Sequence, residues 1–142
     1  LSLRLENLKP LTAFQHKDKM RAYTQEDYEM IKIWTQKNGQ PVPYPQMLPQ
    51  TGYIEDNICA GFLYQTDSSI CIIEHIVVNP DVDKEIRNKA LNELIECLIL
   101  EAKSMNYQTI IAFSDMGAVI ERSKNFDFEI TDNKYTMMSR EI

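Results

Sequence analysis

Glycine is scarce in this chain: four in 142 residues, at positions 39, 52, 61 and 117, so that none stands between Gly61 and Gly117. That gap excludes a glycine-rich phosphate cradle from the middle of the chain, the place where an apolar run, residues 70–80, feeds directly into a helical pattern. Cysteine is also sparse. Cys59, Cys71 and Cys97 are odd in number and lack CxxC spacing, which argues against a disulfide framework and against a metal site. They read as reduced, mostly buried thiols of a cytoplasmic protein. No stretch approaches the ~18 apolar residues that would span a bilayer. The first residues, charged at Arg4, Glu6 and Lys9, lack the apolar core of a signal peptide. Positive charge is in deficit, 15 Lys and Arg against 21 Asp and Glu for a net −6, which speaks against nucleic-acid or anionic-membrane partners.

What is present suits one domain with a sizeable core, at 44% hydrophobic and 25% charged residues. The spacing predicts a short strand over residues 20–23. Thr24 is then a helix N-cap with Asp27 three positions on, ahead of a helix that ends near Asn38-Gly39 and packs through Trp34. Four prolines among residues 40–50 exclude helix and central strand and predict an extended loop. Apolar runs at 52–55, 58–65 and 70–78, separated by short polar turns, form an antiparallel meander. Residues 83–105 carry a broad apolar stripe from Ile86 to Met105, wide enough to cover a sheet. A strand at 109–113, a helix at 116–124 and a hairpin pairing 128–131 with 135–139 complete the pattern. Residues 1–19 do not join it and, with Leu rather than Met first, read as an upstream or peripheral extension to a domain at 20–142.

A strand, a long helix and a further strand in succession require a parallel pair. The fold class is therefore α+β with mixed α/β character: a central, mostly antiparallel sheet with one parallel strand pair and helices on both faces. This order of elements resembles the GNAT superfamily of CoA-dependent N-acyltransferases. Met20-Arg21-Ala22-Tyr23-Thr24-Gln25-Glu26-Asp27-Tyr28 is similar to the family's opening strand and helix, and Ile73-Glu74-His75-Ile76-Val77-Val78-Asn79-Pro80-Asp81 to its fourth strand.

The resemblance implies acetyl-CoA as cosubstrate, bound by the Ile76, Val77 and Val78 backbone and by the turn Asp83, Lys84, Glu85, Ile86, Arg87 and Asn88. The family's basic position in that turn falls on Asp83 and its glycine positions on Ile86 and Asn88. A carboxylate about 4 Å from a phosphate charge opposes binding by roughly 4 kcal/mol at an effective dielectric near 20, more than the roughly 0.3–1 kcal/mol a helix N-terminus returns. Asp83 therefore either faces the diphosphate and closes the site, or caps the helix and leaves the charge to Lys84 and Arg87. The resemblance also places a catalytic base at Glu74. His75 has the opposite strand parity and would face away on a regular strand. The family's acidic Tyr falls on Ser123 and its Gly-Phe pair on Asp127-Phe128; Tyr135, on the last expected strand, is either a stand-in acid or a sheet-packing residue. Tyr44 and Met47 border the acceptor, a small amine or a protein amino group; a homodimer also suits the family. The implied activity is acetyl transfer to a primary amine. The alternatives are a catalytically inactive GNAT-fold binding protein, or an unrelated α+β domain.

Overall fold

The computed structural model describes residues 20–114, 116–132 and 134–142. They divide into two compact units, one ending at Ala112 and the other Phe113–Ile142.

The first unit is built on a five-stranded sheet in chain order: β1 (Met20–Ala22), β2 (Gly52–Glu55), β3 (Cys59–Tyr64), β4 (Ile70–Val78) and β5 (Thr109–Ile111). The first four strands pair antiparallel, and β5 runs parallel to β4. The meander arises because short polar turns such as Asp56-Asn57, with Asn57 at φ 67°, reverse the chain between apolar runs. β5 is shorter than expected, since its pairing with β4 stops at Ile72–Ile111.

Helix α1 (Tyr28–Lys37) covers one face. It starts one turn after Thr24, through a 3₁₀ turn over Gln25–Asp27, and the Asp27 carboxylate accepts the Thr24 N–H at 2.9 Å. Arg21 donates two hydrogen bonds to the same carboxylate, at 2.9 and 2.7 Å, and reaches Asp56 at 2.6 Å. One guanidinium thus ties β1, the α1 start and the β2–β3 turn together, and it holds the Asp27 carboxyl below its ordinary range. Trp34 and Ile31 of α1 bury against Tyr23, Leu48, Ile54, Ala60, Phe62 and Val77. Tyr23 and Phe62 meet edge to face at 4.8 Å.

Helix α2 (Lys84–Ser104) covers the other face through Ala90, Leu94, Ile95, Leu98 and Ala102. It lies close to the sheet at Gly61, where a Cβ would stand 3.1 Å from Leu94 and 3.3 Å from Leu98. The three cysteines are buried and free. Ile86, expected in the covering stripe, is 50% exposed because it falls in the first turn of α2.

The proline-rich residues 40–50 are a loop, but Pro45–Met47 closes one 3₁₀ turn, with proline at its start where a missing N–H costs nothing. In the second unit, α3 (Gly117–Lys124) forms as expected. The hairpin expected at 128–131 and 135–139 does not: among the described residues no strand follows Ile111. Two short runs without a third strand are marginal as a hairpin. Ile130, Tyr135, Met137 and Met138 accordingly stand exposed.

Candidate functional site

The site begins with a slip of one residue. Phe62 pairs with Glu74 and Ala60 with Val77, so Gly61 lies opposite two residues of β4, His75 and Ile76. This is a β-bulge, and His75 takes a left-handed backbone, φ 55°, which one class of bulge ordinarily gives to glycine. Glu74, paired with Phe62, lies on the α1 face. Beyond the bulge the parity inverts: Ile76 meets the α2 face, its Cγ1 3.2 Å from a Cβ built on Gly61, and Val77 joins the α1-side core.

The bulge corrects the parity argument made for His75. Its ring lies 6.0 Å from that of Tyr64, which packs against the α1-side core, so Glu74 and His75 share one face. The Glu74 Oε1 accepts the His75 N–H at 3.1 Å. Burial pushes the imidazole below its ordinary pKa, against the opposing pull of the Glu74 charge. Burial, with the Glu74 charge second, pushes the Tyr64 phenol up to about 12. Tyr64 donates to the Met47 carbonyl at 3.0 Å, and Tyr28 donates to the Pro43 carbonyl at 2.6 Å. Two phenols thereby pin the proline-rich loop beside the Glu74–His75 pair, with Tyr44 and Met47 exposed on it. A hollow of about 210 Å³ remains between residues 23–25 and residues 45 and 48–50.

β4 also has an open edge. β5 pairs only with Ile70–Ile72, so among the described residues β4 has no β5 partner from Ile73 onward. The Asn79 N–H bonds to the Ile58 carbonyl on the β3 side. By strand alternation Val77 also faces β3, whereas Ile76 and Val78 turn their main-chain groups to the open edge. Asn38, the C-cap of α1, donates to the Val78 carbonyl there at 2.9 Å.

After Pro80 the turn is held by side chains where glycines would otherwise shape it. The Asn79 Oδ1 accepts the Asp81 N–H at 3.0 Å, its Nδ2 donates to the Asn57 carbonyl at 3.0 Å, and Lys37 pairs with Asp81. Asp83 occupies the N-cap position of α2, but its side chain makes no capping hydrogen bond. Its carbonyl accepts the Arg87 N–H at 2.9 Å, which leaves the Lys84, Glu85 and Ile86 N–H groups at the helix start. The Arg87 Nε is buried without a hydrogen-bond partner among the described residues, a donor that an anion would satisfy. Lys84, Arg87 and the first-turn amides are donors an anion could meet at this helix start, and the Asp83 and Glu85 carboxylates oppose one there.

Ile76, Val77 and Val78 and residues 83–88 thus adjoin along one strand-to-helix junction, with Glu74 just ahead of it. Tyr135, in the second unit, is 79% exposed. Ser123 donates to the Ile120 carbonyl at 2.7 Å inside its own helix. Asp127, where the resemblance expects glycine, keeps a glycine-like φ of 64°. Tyr64 and the face of His75 are the elements that reasoning from sequence missed. Their signal lies in pairing: the stretch of β4 facing β3 is one residue longer than its partner. Among the described residues no group of acidic, His and Cys side chains is arranged to hold a metal, and no helix is long and apolar enough to cross a membrane.

The chain matches no sequence-family profile and no curated protein. Solved structures do resemble it. Ard1 from Thermoplasma volcanium superposes with a TM-score of 0.63 at 15% identity, over 80% of this chain and 83% of that one. A Mycobacterium tuberculosis protein in complex with CoA gives 0.60 at 14% identity, over 74% and 69%. A GNAT family acetyltransferase from Streptococcus pneumoniae gives 0.51 at 14%, over 87% and 97%. At such identities the likeness is one of architecture, and the fold of this chain is that of the GNAT acetyltransferases.

Proposed function

We propose that the chain is a GNAT-like N-acetyltransferase that moves an acetyl group from acetyl-CoA to a primary amine. The observation that supports this reading is the bulge at His75, which gathers Glu74 and His75 on one face beside the open edge that β4 has beyond its last β5 partner, Ile72. Acetyl-CoA supplies the activated thioester. The Ile76 and Val78 N–H groups would hold and polarise its acyl-pantetheine end, and Lys84, Arg87 and the first-turn amides of α2 its diphosphate. The Glu74–His75 pair would receive the amine's proton, and the pinned loop with Tyr44 and Met47 would form the wall against which the amine lies. A small amine or a protein amino group, cationic before it reacts, suits a chain of net charge −6.

Calorimetric titration with acetyl-CoA, followed by thiol release in the presence of an amine panel, tests the reading. Saturable heat and amine-dependent thiol release are expected. No heat at high micromolar acetyl-CoA, together with no thermal shift, would overturn it. A second reading, a GNAT-fold binding protein without activity, is favoured by the uncapped Asp83 carboxylate at the start of α2. It predicts no heat in the wild type and heat regained in Asp83→Asn.

A further inference from the structure

We propose that His75, not Glu74, takes the proton from the incoming amine, and that Glu74 is a positioning residue that fixes the bulge; this rests on the acyl-transfer reading above. Glu74 turns one carboxylate oxygen back onto the N–H of His75, the residue with the left-handed backbone. That bond ties the carboxylate to the main chain it stabilises. The His75 ring nitrogens, by contrast, make no hydrogen bond among the described residues, and its ring is set by packing on Tyr64. Tyr64 is itself occupied, since its hydroxyl is donated to the Met47 carbonyl.

The ionisable groups around His75 are few. Glu74 lies on its own strand and Tyr64 on β3. Residues 40–50 carry no charged side chain, and Lys37 of α1 is paired with Asp81. Burial lowers the imidazole's pKa from its ordinary value, which favours the neutral ring whose lone pair a general base uses.

The amine arrives as R–NH₃⁺ and passes one proton to the His75 ring; its lone pair forms the N–C bond to the acyl carbon as the C–S bond breaks. The C–S electron pair leaves on sulfur. Of the two protons the nitrogen sheds, one ends on that sulfur and one in water.

The test compares wild type, His75→Gln, His75→Gly and Glu74→Gln in the full chain, reading acetyl-CoA heat, kcat against pH and melting temperature. His75→Gln should keep the acetyl-CoA heat and lose kcat by about 100-fold or more, with the acidic limb of the pH profile gone. Glu74→Gln, whose amide oxygen can still accept the His75 N–H, should lower kcat by less than about tenfold and retain that limb. His75→Gly accommodates the left-handed backbone and should regain activity when free imidazole is added, which a purely structural role would not allow. A Glu74→Gln loss equal to that of His75→Gln, or an absence of imidazole rescue, overturns the assignment while the wild type still transfers acetyl groups. A wild type with neither heat nor turnover overturns the acyl-transfer reading itself, and this assignment with it.

Discussion

Replacing His75 by alanine and, separately, by glycine isolates the backbone of the bulge from everything its side chain does. Both variants remove the imidazole and its contact with Tyr64, so their difference reports only what φ 55° demands. In a regular strand glycine is the worse residue, by roughly 0.5–1 kcal/mol relative to alanine, because it has more freedom to lose. In the left-handed region an L-residue meets a steric penalty of about 1–2 kcal/mol that glycine escapes. The second term exceeds the first, leaving glycine ahead by roughly 0.5–1 kcal/mol.

The ordering of the two variants therefore inverts, and the inversion is diagnostic. With a urea slope of about 2 kcal/mol/M, the glycine variant should unfold at a midpoint some 0.3–0.5 M higher than the alanine variant, with unchanged slope. In a thermal scan the gap corresponds to about 2–3 °C. The same pair at Ile73, which sits in regular register opposite Leu63, should show the ordinary order, with alanine more stable. Should alanine also prove the more stable at 75, β4 is regular there and His75 faces away from Glu74, so the two side chains share no face.

Two further outcomes follow from the packing and from the charges. Gly52→Ala places a Cβ 2.5 Å from Phe62 Cδ2, against a fully buried ring that meets Tyr23 edge to face, so a loss of about 1–3 kcal/mol in denaturant unfolding is expected; a loss below about 0.5 kcal/mol would show that Phe62 can yield. Asp27 has its folded pKa lowered from 3.8, chiefly by the Arg21 hydrogen bonds, so its contribution is complete above the unfolded value and declines as pH falls through the folded one. Asp27→Asn should lower stability near pH 7 by about 1–3 kcal/mol and flatten the acid decline below about pH 4; an unchanged acid limb would place that sensitivity elsewhere.

How far the chain could be read in advance depended on whether each feature is local. The long helix and the run Ile70–Val78 announce themselves because their side-chain periods are written within one segment. The bulge is not local: it is a mismatch between the lengths of two strands that meet only after folding, and no residue of β4 declares it. The scarcity of glycine, read first as the loss of a phosphate cradle, has a different outcome in space. Gly52 and Gly61 serve close packing, and among the described residues the left-handed positions fall to Gly39, Asn57, His75, Asn106 and Asp127. Asn and Asp occupy that region at little cost because a short polar side chain bonds locally. Asn57 sits in the β2–β3 turn, Asn106 just past the end of α2 and Asp127 just past the end of α3, where chains ordinarily reverse. His75 alone does so within a strand, where its own preference opposes it and a carboxylate from the preceding residue is needed to hold its N–H. Strain maintained at a point where the sheet could have run straight is what the acyl-transfer proposal rests on, ahead of the glycine-poor turn that follows it.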